Sequence, residues 1–86
     1  PDNIRRTMLA ELTVKEFSIL EYLMLNQDKV LSKENILLHV WNYDYTYDSN
    51  VVDVYIRYLR NKIDKGFDKP LIQTVRGFGY VMREEE

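Results

Sequence analysis

The sequence predicts one α+β domain in which three helices precede a β-hairpin. Three observations favour this fold. Apolar residues recur at helical spacing in three separate segments, residues that commonly cap helices precede each segment, and two β-rich runs enclose a Gly-x-Gly turn near the end of the chain. A chain of 86 residues has the length of one domain, so we treat residues 1–86 as a single unit.

The first helix is predicted to begin at Thr13 and to end near residues 26–28. Thr13 and Glu16 have capping-box spacing, in which the Thr oxygen accepts a backbone N–H and the Glu carboxylate accepts the Thr N–H. Residues 4–12 could hold one strand. The apolar face predicted for the helix consists of Phe17, Leu20, Leu23 and Met24.

The second helix is predicted to begin after Ser32, a favourable N-cap, and to end near Trp41. An extended link over residues 29–31 precedes it. Residues 42–48 then form a polar loop that is rich in tyrosine. Two interpretations of this loop remain open, because its tyrosines could pack on the core or could contact a partner.

The third helix is predicted over about residues 50–65, with Asp48 or Ser49 as its cap. Helical periodicity divides it into two faces. The core stripe consists of Val52, Ile56, Leu59 and Ile63. The outer face presents Asn50, Val54, Arg57, Tyr58, Asn61 and Lys65, with Asp53 and Arg60 along one edge and Tyr55 and Lys62 along the other.

Gly66 is a plausible end for the third helix, and the hairpin follows over residues 71–75 and 80–83. The turn between these strands contains Gly77 and Gly79, which suit a backbone with positive φ. A phosphate-binding loop is excluded, since the third glycine, the following helix and the P-loop lysine are all missing. Arg76 stands beside the turn, on the protruding tip.

Charge is unevenly distributed along the chain, although the net charge is only −2. Residues 1–56 carry five Lys or Arg against nine acidic residues, whereas residues 57–83 carry seven against two, and three glutamates end the chain. A basic segment of this kind can form a basic face. The other interpretation is a solvated surface of mixed charge.

Several classes of function find no support in the composition. Without cysteine there is no disulfide, no thiol nucleophile and no Cys-ligated zinc site, and His39 is the only histidine. We expect no metal, no cofactor and no enzymatic activity. No apolar run reaches the roughly 18 residues of a membrane helix, and no signal peptide is seen, so we expect a cytoplasmic protein that does not contact the membrane.

Three helices followed by a hairpin is the order of a winged helix-turn-helix, in which the third helix reads DNA. Arg57 and Arg60 can reach phosphates or guanine edges, and Val54 could meet a thymine methyl group. Arg76 on the wing suits a narrow minor groove. The alternative function is a winged helix that binds another protein.

Several sequence motifs resemble the OmpR/PhoB-type effector domain of response regulators over about residues 12–83. The motifs that carry the resemblance occur in the same order: Leu12-Thr13-Val14-Lys15-Glu16-Phe17, Val30-Leu31-Ser32-Lys33-Glu34, Val40-Trp41, the run from Val51 to Lys62, and Thr74-Val75-Arg76-Gly77-Phe78-Gly79-Tyr80. Tyr58 departs from the family, whose members often carry an arginine there. The N-terminal sheet is also shorter than usual, unless the chain is cut from a longer one.

The resemblance implies a transcription factor of a two-component system that lacks its receiver domain in this chain. It implies that double-stranded DNA is contacted by Asn50, Val54, Tyr55, Arg57, Tyr58 and Arg60 on the third helix and by Thr74 and Arg76 on the wing. It further implies a second copy of the domain beside the first on a direct repeat. The loop with Tyr43, Tyr45 and Tyr47 resembles a segment that contacts RNA polymerase in some members.

Overall fold

The computed structural model describes residues 11–42, 48–66 and 69–83, which form three helices and a two-stranded antiparallel sheet. The helices are α1 (Val14–Leu25), α2 (Lys33–Trp41) and α3 (Asn50–Ile63), and the strands are β1 (Ile72–Val75) and β2 (Gly79–Met82). The predicted order of elements is confirmed. A reduced N-terminal sheet was expected from residues 4–12. Of these, only residues 11 and 12 belong to the described part of the chain.

Side-chain caps begin the first two helices where the sequence predicted them. The backbone N–H of Glu16 donates to Thr13 Oγ1 at 3.3 Å, and the N–H of Thr13 donates to Glu16 Oε1 at 2.9 Å. Ser32 Oγ accepts the N–H of Asn35 at 3.0 Å. At α3 the bond comes from Asp48, whose Oδ1 accepts the N–H of Asn50 at 2.8 Å. These bonds satisfy N–H groups that have no partner within the helix.

The apolar face predicted for α1 is partly wrong. Leu20 and Leu23 are buried as expected, but Phe17 and Met24 are 52% and 56% exposed. The buried side of the helix instead includes Ile19 and the carboxylate of Glu16. Both sets of positions have helical spacing, and Glu16 on the buried side meets Lys62 of α3.

The core lies between the three helices and the hairpin, and aliphatic side chains from every element fill it. The core stripe predicted for α3 is confirmed, with all four residues at most 1% exposed. Burying this stripe holds α3 against the other elements and leaves its opposite side outside. The buried aliphatic residues are Ile19, Leu20, Leu23, Leu31, Ile36, Val40, Val52, Ile56, Leu59, Ile63, Ile72, Val81 and Met82.

Two backbone connections fasten the hairpin to the helices. Tyr80 and Leu31 exchange hydrogen bonds of 2.9 and 2.8 Å, so the link between α1 and α2 forms an isolated antiparallel bridge with β2. At the other side, the Asp64 carboxylate accepts the N–H groups of Leu71 and Ile72, both at 3.0 Å. Asp64 follows the end of α3, which comes two residues before the predicted end at residue 65. The hairpin therefore has a fixed position relative to α3.

Candidate nucleic-acid interface

The outer face of α3 is the first part of the candidate interface. Arg57, Tyr58, Asn50 and Asn61 are exposed there, on the side opposite the buried stripe. The guanidinium of Arg57 lies 5.9 Å from the centre of the Tyr58 ring, within the range of a cation–π contact. The face thus presents a cation, amide groups and a phenol, which can hydrogen-bond to phosphates and base edges.

Tyr55 and Val54 lie deeper than Arg57, because both are only partly exposed. The ring of Tyr55 meets Trp41 edge to face at 5.3 Å between ring centres and meets Tyr58 in the same way at 5.9 Å. The three rings form a row that runs outward from α2 across α3. Tyr55 therefore packs between the core and Tyr58.

Arg60 points toward the wing. Its Nε and Nη2 donate to the carbonyl oxygen of Ile72 at 3.3 and 3.1 Å, and Nη2 also donates to Thr74 Oγ1 at 2.7 Å. The guanidinium lies 5.4 Å from the ring centre of Tyr80. Two residues predicted to touch DNA, Arg60 and Thr74, are therefore bonded to each other. An accepted hydrogen bond still leaves the hydroxyl proton of Thr74 free to be donated.

A carboxylate on the inner edge of α3 connects three elements. Asp53 Oδ2 accepts a hydrogen bond of 2.8 Å from Nζ of Lys33, which lies at the start of α2. Asp53 Oδ1 accepts the hydroxyl of Tyr80 from β2. The sequence placed Asp53 and Arg60 on the same edge of α3 but gave no partner for either. Their shared edge was the only signal that both would face the hairpin.

The ionisation of this cluster follows from its contacts. Burial opposes the charge on Asp53, but the hydrogen bonds from Lys33 and Tyr80 outweigh it and lower the pKa of Asp53 below its ordinary value. Burial and the nearby carboxylate raise the pKa of Tyr80 to about 12. Asp53 is therefore ionised and Tyr80 is protonated at neutral pH.

Two exposed side chains of the wing lie at its turn. The N–H of Phe78 donates to the carbonyl of Val75 at 3.0 Å and closes the turn, while Arg76 and Phe78 project from it. Gly77 and Gly79 have φ of 80° and 154°, as the predicted role of the two glycines requires. A Cβ on Gly79 would lie 2.0 Å from the carbonyl oxygen of Leu31.

A cleft of about 430 Å³ separates the wing from the starts of α2 and α3. Lys33 and Ser49 line it from the helices, and Thr74, Arg76 and Phe78 line it from the wing. Arg76 on the wing wall is an exposed cation, whereas Lys33 on the helix wall is paired with Asp53, and Glu34 also lines the cleft. Of these groups, Arg76 is the one best suited to a phosphate of a DNA strand.

The buried carboxylate of Glu16 binds a lysine of α3 on the inner side of the domain. Glu16 Oε1 accepts a hydrogen bond of 2.6 Å from Lys62 Nζ, and the Glu16 side chain is only 3% exposed. Burial by itself would raise the pKa of Glu16, but the hydrogen bonds from Lys62 and Thr13 prevail and lower it. This pair joins α1 to α3, and no local pattern in the sequence pointed to it.

The described parts of the chain hold no group of three or more His, Cys, Asp or Glu side chains able to bind a metal ion. Nor does any helix among these residues have the length and apolar character needed to cross a membrane. Tyr43, Tyr45 and Tyr47, which were predicted to contact a partner, lie outside the described residues.

The fold and the exposed face of α3 beside the wing define a winged-helix DNA-binding domain. Residues 7–82 match the family described as "transcriptional regulatory protein, C terminal", and the chain belongs to that family. It is a DNA-binding domain of the kind that serves as the output domain of response regulators. The family is one of transcriptional regulators and not of enzymes.

Relatives and solved structures agree with this assignment. The chain is 51% identical over 73 residues to the uncharacterized transcriptional regulatory protein YkoG of Bacillus subtilis and 53% identical over 74 residues to the response regulator ArlR of Staphylococcus aureus. Each match covers 85% of this chain but only 32% and 33% of the relatives. The chain therefore spans about a third of their length.

Two structures of DNA-binding domains have the same fold. The domain of CssR from Bacillus subtilis has a TM-score of 0.73 at 39% identity, with 84% of this chain and 77% of that chain covered. The domain of the response regulator AdeR was solved in complex with an intercistronic region. It has a TM-score of 0.73 at 27% identity, with 83% and 70% covered.

Proposed function

We propose that the domain binds a specific double-stranded DNA site with α3 in the major groove and the wing in the adjacent minor groove. The observation that carries this proposal is the placement of two exposed arginines, Arg57 on the outer face of α3 and Arg76 at the wing turn. The cleft between α3 and the wing then receives the sugar–phosphate strand that separates the two grooves. The contacts to DNA are Asn50, Val54, Tyr55, Arg57, Tyr58, Arg60, Thr74 and Arg76.

These residues divide into two groups by their exposure. Asn50, Arg57, Tyr58, Thr74 and Arg76 are exposed and can reach DNA directly, whereas Val54, Tyr55 and Arg60 are only partly exposed. Arg60 is half-buried and bonded to the wing, so its main contribution is to hold the wing in position, with Thr74 as the group that donates to a phosphate. The phosphates that these residues neutralise account for the salt dependence of binding.

The test compares Arg57→Ala and Arg76→Ala on two sites that differ only in the step next to the major-groove contact, one A·T-rich and one G·C-rich. Because a narrow A·T-rich minor groove concentrates negative potential, Arg76→Ala should lose more affinity on the A·T-rich site. Arg57→Ala should weaken binding to both by about tenfold and lower the salt slope by about one, as for a phosphate contact.

Lys29→Ala is the matched control, since Lys29 is an exposed cation and its neighbour Asp28 bonds to Met82, at the opposite end of β2 from the wing turn. It changes the net charge by the same amount and should leave affinity nearly unchanged. If Arg57→Ala binds as tightly as Lys29→Ala, α3 does not make the proposed contact. Binding that fails to weaken with salt would favour the alternative function, a module that binds another protein.

The arrangement on DNA and the partners are further parts of the proposal. We expect two copies side by side on a direct repeat, and selection from random DNA should return two half-sites in the same orientation. Half-sites in opposite orientation would contradict this arrangement. The domain acts in the cytoplasm, where bacterial DNA lies, without a cofactor or catalytic activity.

The loop before α3 is proposed to contact RNA polymerase through Tyr43, Tyr45 and Tyr47. Support comes from the resemblance to response regulators and from the position of the loop in the chain, directly before the DNA-reading helix. Replacing Tyr45 and Tyr47 with alanine should lower transcription while leaving DNA affinity unchanged. An equal fall in both outputs, or unfolding of the variants, would show that these tyrosines have a structural role.

A further inference from the structure

The wing turn carries an apolar side chain that the DNA contacts proposed above leave unused. Phe78 is 72% exposed, although it lies next to Arg76 on a part of the molecule that reaches toward DNA. Single exposed apolar residues are common on protein surfaces and need no explanation by themselves. Phe78 differs from them because of its neighbours and its fixed position.

The backbone around Phe78 is held in place from both sides. Its own N–H is bonded to Val75, and Gly79 beside it approaches Leu31 so closely that no Cβ would fit. The next residue, Tyr80, is joined to Leu31 by two hydrogen bonds. The turn is therefore fixed against the body of the domain before any ligand arrives, so that little ordering entropy is lost on binding.

The side chain faces the cleft between the wing and the helices. Phe78 lines this cleft together with Arg76 and Thr74 of the wing and with Lys33 at the start of α2. Arg76 and Thr74 offer a charge and a hydroxyl, which suit phosphate oxygens, while Lys33 is paired with Asp53 and Glu34 adds a carboxylate on the helix side. An aromatic ring among them suits the part of a DNA strand that is apolar, namely the deoxyribose between phosphates.

We propose that Phe78 packs against the deoxyribose of the strand that passes through the cleft. This inference rests on the proposed function, because it requires duplex DNA in that place. The ring adds affinity by removing apolar surface from water and releases no counterions, in contrast to Arg76. Phe78 is thus a DNA-binding residue whose contribution does not depend on salt or on base sequence.

Affinity measured over a series of salt concentrations tests the proposal. Phe78→Ala should weaken binding by about five- to tenfold, as expected when a partly buried aromatic contact is lost. The slope of log Kd against log salt should stay as in the wild type, and the loss should be the same on A·T-rich and G·C-rich flanks. Phe78→Leu should recover most of the affinity, whereas Arg76→Ala should lower the slope by about one.

Hydroxyl-radical footprinting reads sugar exposure directly and provides the second measurement. At saturating protein, Phe78→Ala should expose a few sugars beside the minor groove that the wild type protects, while the rest of the footprint is unchanged. Wild-type affinity in Phe78→Ala, a lower salt slope, or an unchanged footprint would overturn the proposal. A loss confined to one flanking sequence would also overturn it, by indicating insertion between bases. If the wild type itself binds no duplex, the proposed function fails as well.

Discussion

Replacing Gly79 with alanine should detach the wing from the body of the domain. A Cβ at this position would lie 2.0 Å from the carbonyl oxygen of Leu31, 2.8 Å from its carbonyl carbon and 2.9 Å from the Cα of Ser32. All three atoms belong to the backbone, so no side chain can rotate away to make room. The two segments must separate by more than 1 Å, a displacement that follows from van der Waals contact near 3.4 Å.

The magnitude follows from what this separation breaks. The hydrogen bonds between Tyr80 and Leu31, at 2.9 and 2.8 Å, would be lost. Each contributes about 1 kcal/mol, and φ of 154° at position 79 adds strain of about 1–3 kcal/mol for any residue with a Cβ. The free energy of unfolding should therefore fall by about 3–5 kcal/mol, out of roughly 4–13 kcal/mol for a domain of this length. The midpoint of thermal unfolding should fall on the order of 15–30 °C.

Gly77→Ala is the matched control for this prediction. Gly77 also has a positive φ, 80°, but an added Cβ would meet nothing within 4 Å. Only the backbone strain applies there, so the expected loss is about 1–2 kcal/mol. Urea unfolding of both variants measures the difference. Equal stability of Gly79→Ala and Gly77→Ala, within about 0.5 kcal/mol, would refute the argument from the close contact with Leu31.

Two further predictions concern the buried polar contacts. Lys62→Met should lower the free energy of unfolding by about 2–3 kcal/mol at neutral pH, because it leaves the Glu16 carboxylate buried without its cation, and adding Glu16→Gln should restore part of the loss in urea unfolding. Since the pKa of Glu16 is lowered in the fold, the stability from this pair is present above about pH 4.5 and is lost as pH falls through the folded pKa. A Lys62→Met variant as stable as the wild type at pH 7 would contradict this prediction. Tyr80→Phe should cost about 1.5 kcal/mol by removing the bond to Asp53. The pKa of Tyr80 is raised from 10.0 to about 12, so the wild type should lose this stability as pH rises from 10 to 12, whereas Tyr80→Phe should not. Parallel curves of unfolding free energy against alkaline pH for the two proteins would refute this prediction.

The sequence was sufficient to predict the elements that local chemistry determines. Caps at Thr13 and Ser32 and the apolar stripe of α3 act within one helix, and all were predicted correctly. The glycines of the wing turn belong to the same group, because their spacing reveals a turn without knowledge of the rest of the fold.

The parts that could not be predicted depend on contacts between distant segments. The burial of the Glu16 carboxylate on α1 depends on its partner Lys62, which lies 46 positions later in the chain. The direction of Arg60 depended on the hairpin, whose carbonyl at Ile72 accepts its N–H groups. A sequence read locally shows that Arg60 lies on the edge of the outer face but does not show what it meets. Thus the sequence suggested a direct DNA contact, whereas the fold gives Arg60 contacts with the wing.

The bonds from Arg60 to Ile72 and Thr74 also have a consequence for the DNA sites that the domain can accept. They hold the wing at one distance and angle from α3. One copy of the domain therefore has a fixed spacing between its major-groove contact and its minor-groove contact. Inserting one base pair between the two contacted grooves would shift one contact by about 3.4 Å and rotate it by about 35°. A wing that is held rigidly against α3 cannot adjust to such a shift. Variation in spacing is therefore confined to the DNA between two copies, while the offset within each half-site stays constant.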